Sequence, residues 1–462
     1  KGSIGSILSH FNFDNKIKLQ QIAVKESRLG IPIVFAADVI HGYKTIFPIP
    51  LAQVASWDMD LIERIERIAT REATADGQSW SFTPMVDVCR DGRWGRIMEG
   101  AGEDPFLGSR VAVARVKGIQ GNDLSDPSTA AACVKHFAGY GFSEAGRDYN
   151  ITDMSEQRLR ETVLPPFQAA AKAGAATFMN GFNALNGVPA SMNRHLLTDI
   201  LRGEWGWKGL VVSDWNSFGE TLIHGTAEDE KDASAKCLSA GSDVDMVSGV
   251  FQKGLRRALE EGRITQAQID DAVRRMLRLK YALGLFEDPF RYLSERRRRD
   301  ELEQPQYRAT AREAATASMV LLKNNNDILP LKSGGSIKKV ALIGPYLDRK
   351  ATKDYLSSWT GGIGDALSYD ASKVVTPAQA LKPALEAMGF EVSLTPVCPD
   401  VECGSEDDIV KTMQATREAD VAIIFVGERG DDCGESRSLT HLGLPRNQEH
   451  LIKVAANTKK PV

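Results

Sequence analysis

Residues that could carry out chemistry lie at the ends of short apolar runs in the first half of the sequence. The run Leu210-Val211-Val212-Ser213 ends in the carboxylate Asp214 and the aromatic Trp215. Such a run is typical of a buried parallel strand, and catalytic residues of strand–helix barrels collect at the C-terminal strand ends. Asp214 can there act as a nucleophile or as an electrostatic anchor. Other apolar runs carry further candidates at or just after their ends: Asp38, Arg96, Lys135, His136 and Met179.

Each candidate also has a purely structural interpretation. Asp214 can cap the following helix, and Lys135 can extend past its strand end toward solvent. His136 can be a hydrogen-bonded core histidine, and Arg96 can pair with Glu99 or Glu103. For any one residue the two interpretations carry similar weight, but several such residues at separate strand ends favour a functional site.

The residue types are those of a sugar-binding site. Charged side chains make strong, directional hydrogen bonds to hydroxyl groups, and an indole packs on the apolar face of a pyranose. No glycine-rich phosphate loop follows a strand. None of the seven His residues forms a pair with helix-face spacing, so neither a metal nor a cofactor is predicted. A Schiff-base lysine at Lys135, as in an aldolase, is the rival hypothesis.

Bulk properties narrow the class of partner. The chain has 462 residues, 42% hydrophobic and 26% charged, with a formal net charge of −4. This charge provides no field for binding nucleic acid, and no apolar run approaches the length needed to span a membrane. A small-molecule substrate is therefore expected.

A homodimer is compatible with the sequence, which leaves the oligomeric state open. Cys398 and Cys403 are close enough to pair, although a single C-x4-C spacing is weak support for a disulfide.

Strand-like runs alternate with helical periodicity over the first part of the chain. The predicted strands are 4–8, 32–37, 81–88, 130–137, 175–180, 210–213 and 244–247. A helix is predicted over 59–75 with Asp58 as its N-cap, and another from the capping box at Thr265 to Gly284, with Ile269, Val273, Met276 and Leu277 facing inward. The alternation predicts a (β/α)8 TIM-like barrel over residues 1–286.

A second α/β unit is predicted after a charged linker. Residues 287–306 contain four consecutive arginines followed by acidic residues, which is typical of a solvated connection. Residues 307–462 carry predicted strands at 340–343, 391–395 and 421–426 and helices at 377–388 and 407–419. This indicates an α/β sandwich domain. Because both chain ends fall where further elements are expected, we interpret the chain as a fragment whose second domain is incomplete.

Several motifs, in their order along the chain, resemble glycoside hydrolase family 3, and especially its periplasmic bacterial β-glucosidases. They are Ala37-Asp38-Val39-Ile40-His41-Gly42, Arg90-Asp91-Gly92-Arg93-Trp94-Gly95-Arg96, Val134-Lys135-His136-Phe137, Phe182-Asn183-Ala184-Leu185-Asn186-Gly187 and Val212-Ser213-Asp214-Trp215. The resemblance implies that Asp214 is the catalytic nucleophile. It also implies sugar-binding roles for these residues: Asp38, Arg96, Lys135, His136, Met179 and Trp215.

The family resemblance implies a second carboxyl, the general acid/base, in a loop that follows a strand of the second domain. The matching loop spans residues 426–438, in which Glu435 aligns best and Glu428 is the alternative. Trp359 resembles a family tryptophan over the leaving-group site. The implied reaction is retaining, exo-acting hydrolysis of terminal β-D-glucosyl residues of short oligosaccharides, through a covalent glycosyl-Asp214 intermediate.

Two positions refine this expectation. The N-acetylglucosaminidase branch of the family has a second His where this chain reads Gly139-Tyr140-Gly141. Xyloside-specific members tend to have Glu in place of Asp38, and the shorter Asp leaves room for the hydroxymethyl group of a hexose. A β-glucoside is therefore the expected substrate, with β-xylosidase or dual activity as the alternative. A periplasmic or extracellular location is expected by analogy.

Overall fold

The computed structural model describes residues 4–348, 374–429 and 432–462. By their contacts these residues form two compact units. The first runs to Met319 and also takes in Gly434–Leu439, and the second contains the other described residues from Val320 onward. Each unit is described separately.

The first unit is built on a parallel sheet. Its strands, in chain order, are β1 (Ser6–Leu8), β2 (Val34–Ala37), β3 (Trp80–Ser81), β4 (Ala131–Phe137), β5 (Thr177–Asn180), β6 (Ala184–Leu185), β7 (Val188–Pro189) and β8 (Leu210–Val212). Six of them form one sheet in the order β1-β2-β3-β4-β5-β8 with parallel neighbours. Val212 makes a further parallel bridge to Val244, and β6 pairs with β7 as a separate antiparallel hairpin.

Helices separate most of these strands. They are α1 (Phe13–Gln21), α2 (Pro50–Ala55), α3 (Met59–Ala75), α4 (Pro105–Gln120), α5 (Glu156–Arg158), α6 (Leu164–Lys172), α7 (Ser217–Ile223), α8 (Glu230–Ala240), α9 (Val250–Glu260), α10 (Gln266–Ala282), α11 (Glu295–Glu301) and α12 (Pro305–Ala317). Tighter 3-10 or wider π turns lie at Ile22–Glu26, Gly95–Glu99, Tyr140–Phe142, Glu144–Gly146, Leu159–Val163, Ala190–Met192 and His195–Glu204. The first unit is thus a TIM-like α/β domain, as predicted.

Alternate residues of the strands pack into two different hydrophobic clusters. One cluster contains residues from several strands, namely Val34, Ala36, Ala131, Cys133, Met179, Leu210 and Val212. The other contains Ala132 and Val134 together with residues of α4 and α6. Asp38, Lys135 and Asp214 each lie two positions beyond a member of the first cluster. The two-residue period of a strand therefore directs all three side chains to the same side of the sheet.

The predicted strands are mostly found, with two corrections. The strand predicted over 81–88 forms only at β3, because Pro84 lacks the amide hydrogen that a continued ladder needs. Beyond Pro84 the segment keeps single bonds to β4, such as Val86 N–H to the Lys135 carbonyl at 2.8 Å. The strand predicted over 244–247 is reduced to the bridge at Val244.

Both predicted helices of the first unit form. Asp58 accepts from the Leu61 amide at 2.9 Å at the start of α3, and Thr265 and Gln268 form the predicted capping box of α10. The inward orientation predicted for Val273 is wrong, since half of this residue is exposed. The buried positions of α10 are instead Ala272, Leu279 and Lys280.

The charged segment predicted as a linker folds onto the first unit. Within it, α11 begins at the cap Ser294, and Arg297 donates to the Pro127 carbonyl at 2.5 Å. Arg298 Nε donates to Asp76 Oδ1 at 2.8 Å, just after the end of α3. Arg297 and Arg298 therefore form contacts within the first unit, and this unit continues to Met319. The domain boundaries at 286 and 307 stay predictions.

The second unit is a smaller three-layer arrangement. Its elements are β9 (Lys339–Ile343), α13 (Pro377–Ala387), β10 (Glu391–Thr395), α14 (Glu406–Glu418), β11 (Val421–Ile424) and α15 (Gln448–Ala456), after a 3-10 turn at Asn325–Asp327. The strands are parallel in the order β10-β9-β11. Val340 and Leu342 pack with residues of α13, whereas Ala341 and Ile343 pack with residues of α14 and α15. Both sheet faces are covered, as expected for an α/β sandwich.

Cys398 and Cys403 form a disulfide in the second unit. In the described ranges, we find no helix whose length and hydrophobicity would let it cross a bilayer.

We predict that the two faces of α10 differ sharply in their contribution to stability. Leu279 is 6% exposed and Val273 is 50% exposed. Leu279→Ala should lower the free energy of unfolding by about 2–5 kcal/mol, because it leaves a cavity. Val273→Ala should change it by less than about 0.5 kcal/mol. Urea denaturation followed by tryptophan fluorescence measures both; equal losses would contradict this orientation of α10.

Candidate active site

A buried ion pair joins the ends of β2 and β4. Lys135 Nζ lies 2.5 Å from Asp38 Oδ1, and both residues are almost fully buried. Burial is the largest single influence on Lys135 and opposes its charge, but the carboxylates of Asp38, Glu99 and Asp214 together raise the Lys135 pKa above its ordinary value. The ammonium group therefore stays protonated, and it can donate further hydrogen bonds to a ligand.

Asp87 fixes the orientation of His136 through two contacts. The Asp87 Oδ2 atom lies 2.9 Å from His136 Nδ1 and also accepts from the His136 amide at 2.8 Å. Burial, followed by the charges of Arg96 and Lys135, holds the pKa of His136 well below its ordinary value, so the ring is neutral. With Nδ1 donating to Asp87, the other nitrogen, Nε2, presents a lone pair.

Asp214 lies directly opposite that nitrogen. Its Oδ2 atom is 3.5 Å from His136 Nε2, and its Oδ1 atom accepts from the Trp215 amide at 2.6 Å. Within the part of the chain that the structure describes, both Oδ2 and Nε2 are buried without a hydrogen-bond partner. Buried polar atoms are rarely left in this state, so the pair is a candidate to form hydrogen bonds with the hydroxyl groups of a ligand.

The charge on Asp214 is finely balanced. Burial raises its pKa to about 7, while the nearby cations Lys135 and Arg96 act in the opposite direction and Glu435 adds to the rise. Burial likewise raises the pKa of Asp87 to about 7. The site therefore holds two carboxyl groups, Asp214 and Asp87, that each titrate near neutral pH.

Arg96 connects Asp214 to a second carboxylate. Its guanidinium binds both oxygens of Glu99, at 2.7 and 3.1 Å, so the ion pair considered for Arg96 from the sequence is present. A further guanidinium nitrogen lies 3.4 Å from Glu435 Oε1. Glu435 is among the charges acting on Asp214. The structure thus brings both predicted catalytic carboxylates to the same cation.

Glu435 reaches this position because its segment pairs with the chain around Gly95. Gly434 N–H donates to the Gly95 carbonyl at 2.7 Å, and Gly95 N–H donates to the Arg437 carbonyl at 3.1 Å. Although the segment follows β11 in the chain, its contacts assign Gly434–Leu439 to the first unit. The alternative, Glu428, belongs to the second unit, where burial and then the Asp432 charge raise its pKa.

The remaining predicted residues have different surroundings. Met179 is buried in the strand cluster, while Trp215 is 42% exposed next to Asp214. Trp359 lies outside the described residues.

Three residues near Glu435 were not predicted from the sequence: Asp148, Tyr149 and Glu220. Tyr149 Oη donates to Glu435 Oε1 at 2.5 Å, and Asp148 accepts from the Ser436 amide at 2.7 Å. Burial and then the charge of Glu435 raise the pKa of Glu220 to about 7. Asp148 and Tyr149 lie in an irregular loop without periodicity. Glu220 lies on α7, six positions after Asp214. It could have been predicted as a site residue by asking which side chains of the helix after Asp214 lie near the C-terminal strand ends.

The arrangement suits chemistry at a carbon flanked by oxygens. Two carboxylates approach one cation, and the surrounding donors and acceptors match a polyhydroxyl ring. Within the described ranges, no three His, Cys, Asp or Glu side chains are grouped so that they could hold a metal ion.

Comparison with known proteins gives a consistent picture. The family model for the glycosyl hydrolase family 3 N terminal domain matches residues 2–279, and the model for its C-terminal domain matches residues 319–462. A periplasmic beta-glucosidase of Salmonella typhimurium is 36% identical over 100% of this chain and 62% of its own length. A beta-xylosidase of Formosa agariphila is 33% identical over 99% of the chain and 65% of its own length.

Solved structures agree with the sequence comparison. The beta-glucosidase of Listeria innocua in complex with glucose superposes with a TM-score of 0.90 at 38% identity, covering 100% of this chain and 61% of that one. A mutant of that enzyme in complex with laminaribiose gives 0.90 at 39% identity, covering 99% and 61%. The chain thus spans a little over three fifths of the length of the Salmonella typhimurium and Listeria innocua relatives. On both family models, the chain belongs to glycosyl hydrolase family 3.

Proposed function

We propose that the protein is a retaining, exo-acting β-glucosidase that removes terminal non-reducing β-D-glucosyl residues from short oligosaccharides. The observation that carries this proposal is a pair of buried atoms, Asp214 Oδ2 and His136 Nε2, which lie 3.5 Å apart, have no hydrogen-bond partner among the described residues, and lie beside a Glu435 bound to Arg96. A carboxylate poised for attack, a hydroxyl-binding nitrogen and a second carboxyl are the parts that retaining hydrolysis needs.

In the first step, ionised Asp214 attacks the anomeric carbon and Glu435 gives its proton to the departing glycosidic oxygen. The C–O bond breaks, the aglycone leaves as an alcohol, and a glycosyl ester forms on Asp214. Lys135 and Arg96 favour the ionised form of Asp214 against the effect of burial. Neighbouring cations are thus what keeps a buried carboxylate available as a nucleophile near neutral pH.

In the second step, Glu435 takes a proton from water and the water oxygen attacks the same carbon, which releases Asp214. Asp38, Lys135, Arg96 and His136 hold the hydroxyl groups of the sugar throughout. Met179 and Trp215 line the same subsite, and we assign Trp359 to the leaving-group side from the family resemblance alone.

The short side chain of Asp38 supports a glucoside over a xyloside. Its carboxylate is held by Lys135 at 2.5 Å, and its side chain is one methylene shorter than that of a glutamate, which leaves space for the hydroxymethyl group of a hexose. The family relatives include a beta-xylosidase, so β-xylosidase or dual activity is the second candidate.

A Schiff-base aldolase is disfavoured by electrostatics. Imine formation needs a neutral amine, whereas the surrounding carboxylates raise the pKa of Lys135 above its ordinary value in spite of burial.

We further propose a periplasmic location, by likeness to the Salmonella typhimurium relative. A homodimer and the domain boundaries at 286 and 307 are also retained as proposals; cell fractionation and light scattering test location and assembly.

We predict that Asp214→Ala abolishes hydrolysis of an aryl β-glucoside, with a loss in kcat of at least about 10⁴-fold, since the covalent step disappears. The full-length protein should be assayed on aryl β-glucosides and β-xylosides and on β-1,2-, 1,3-, 1,4- and 1,6-linked glucose disaccharides. Glucosides should be cleaved faster than xylosides. Wild-type activity in the Asp214 variant would end the proposal, and faster xyloside cleavage would favour the second candidate.

We predict that Glu435→Ala affects substrates according to their leaving group. A phenyl β-glucoside, which needs protonation, should lose about 10²–10⁴-fold in kcat/KM, while a dinitrophenyl β-glucoside should lose much less. Added azide should accelerate the variant with the dinitrophenyl substrate and yield a β-glucosyl azide, because this anion attacks the glycosyl-Asp214 ester in place of water and needs no general base. Glu428→Ala is the matched control; a larger leaving-group effect there would transfer the role to Glu428.

We predict that the charge of Asp214 destabilises the folded protein above acidic pH. Its pKa rises from 3.8 to about 7 on folding, so the folded state binds this proton more tightly than the unfolded chain does. Asp214→Asn, which is never ionised, should be more stable than wild type at pH 8 by about 2–4 kcal/mol. The advantage should shrink as the pH falls from 7 toward 4.

Urea denaturation at pH 5 and pH 8 measures this difference, with the exposed Asp271→Asn as the control. A stability difference independent of pH would show that Asp214 is not buried as an ionised group.

A further inference from the structure

Backbone pairing fixes the chain that carries Glu435 but leaves the carboxyl group itself free to rotate. Besides the two bonds at Gly95, Leu439 N–H donates to the Arg93 carbonyl at 2.8 Å. These bonds fix the backbone of the segment against the chain around Gly95. They do not decide which oxygen of Glu435 faces the sugar.

Asp148 fastens the residues that follow Glu435. One oxygen of its carboxylate accepts from the Trp94 indole N–H at 2.8 Å, and the other accepts from the Ser436 amide at 2.7 Å. Its own amide donates to Ser438 Oγ at 3.0 Å. Asp148 thus links the segment that carries Glu435 to the Trp94 side chain. Trp94 is 1% exposed and therefore provides a rigid support.

Tyr149 fixes the carboxyl group. Its hydroxyl donates to Glu435 Oε1 at 2.5 Å, and its ring is held edge-on by Phe182 at 4.9 Å between centroids. Burial and then the Glu435 charge raise the pKa of Tyr149 above its ordinary value, so the phenol keeps its proton. Tyr149 and Ser436 both adopt left-handed φ values, 57° and 61°, which are unusual for such residues and are found where a loop is constrained for function.

We infer that Asp148 and Tyr149 are positioning residues that orient Glu435 for proton transfer. This inference rests on the proposed function. Because Oε1 accepts from Tyr149 and lies 3.4 Å from Arg96, the transferable proton is carried by Oε2. Oε2–H passes its proton to the glycosidic oxygen as the C–O bond breaks, and ionised Oε2 later takes a proton from the attacking water.

The test is the leaving-group dependence of kcat/KM in Tyr149→Phe. This change keeps the ring and removes one hydrogen bond to the carboxylate that forms as the proton leaves Glu435, so phenyl β-glucoside hydrolysis should fall about 10- to 100-fold. Dinitrophenyl β-glucoside hydrolysis, which needs no protonation, should change less than about twofold. The exposed Tyr281→Phe on α10 is the control and should leave both rates unchanged.

Asp148 gives a second, graded test. Asp148→Ala should produce the same selective loss, and Asp148→Asn, which retains one carbonyl acceptor, should recover part of it. Thermal unfolding of each variant checks that the fold is kept. A selective loss supports the inference.

Equal losses on both substrates, or no loss on the phenyl substrate, would overturn the inference and leave the proposed function intact. A wild-type protein that cleaves neither glucoside would overturn both.

Discussion

The site depends on keeping a carboxylate ionised at a place where burial works against its charge. Asp214 is 8% exposed, and the cations that favour its ionised form, Lys135 and Arg96, are buried as well. Each cation is already paired, Lys135 with Asp38 at 2.5 Å and Arg96 with Glu99 at 2.7 Å. A paired charge is far less costly to bury than an isolated one. The two ion pairs therefore allow positive charge to be brought next to Asp214 without adding a second uncompensated charge.

The cations Lys135 and Arg96 only partly offset the effect of burial on Asp214, and this remaining cost points to a functional role. Burial still raises the pKa of both Asp214 and Asp87 to about 7, and His136 Nε2 has no hydrogen-bond partner among the described residues. A protein selected only for stability would fill these positions with apolar side chains. The sugar of the proposed reaction has hydroxyl groups that can donate to Asp214 and His136. Its binding energy can then offset the cost of burying these two groups.

Sequence reasoning succeeded where regular strands govern position. Asp38 and Asp214 follow apolar runs and Lys135 lies near the end of another, so the C-terminal strand ends of the sheet bring all three together. It failed where a contact joins irregular segments. The loop containing Tyr149 has no period that could point it at a residue 286 positions away, and Val273 was placed inward because α10 carries apolar residues on more than one face. The broken strand near Pro84 was readable in the sequence, since proline rarely continues a ladder.

The two catalytic carboxylates that we propose differ in how they are held, and this explains why one needs external anchors. Asp214 follows β8, whose neighbours β5 and the bridge at Val244 fix it from both sides. Glu435 lies outside the parallel sheet, in a segment that is held by backbone bonds to Gly95 and Arg93. Gly95 makes the docking possible: a Cβ there would lie 2.4 Å from the Gly434 carbonyl oxygen and 2.6 Å from that of Arg437. Any side chain at this position would push the segment outward and carry Glu435 away from Arg96. The absence of a side chain at Gly95 is therefore as necessary for the proposed acid/base as Glu435 itself.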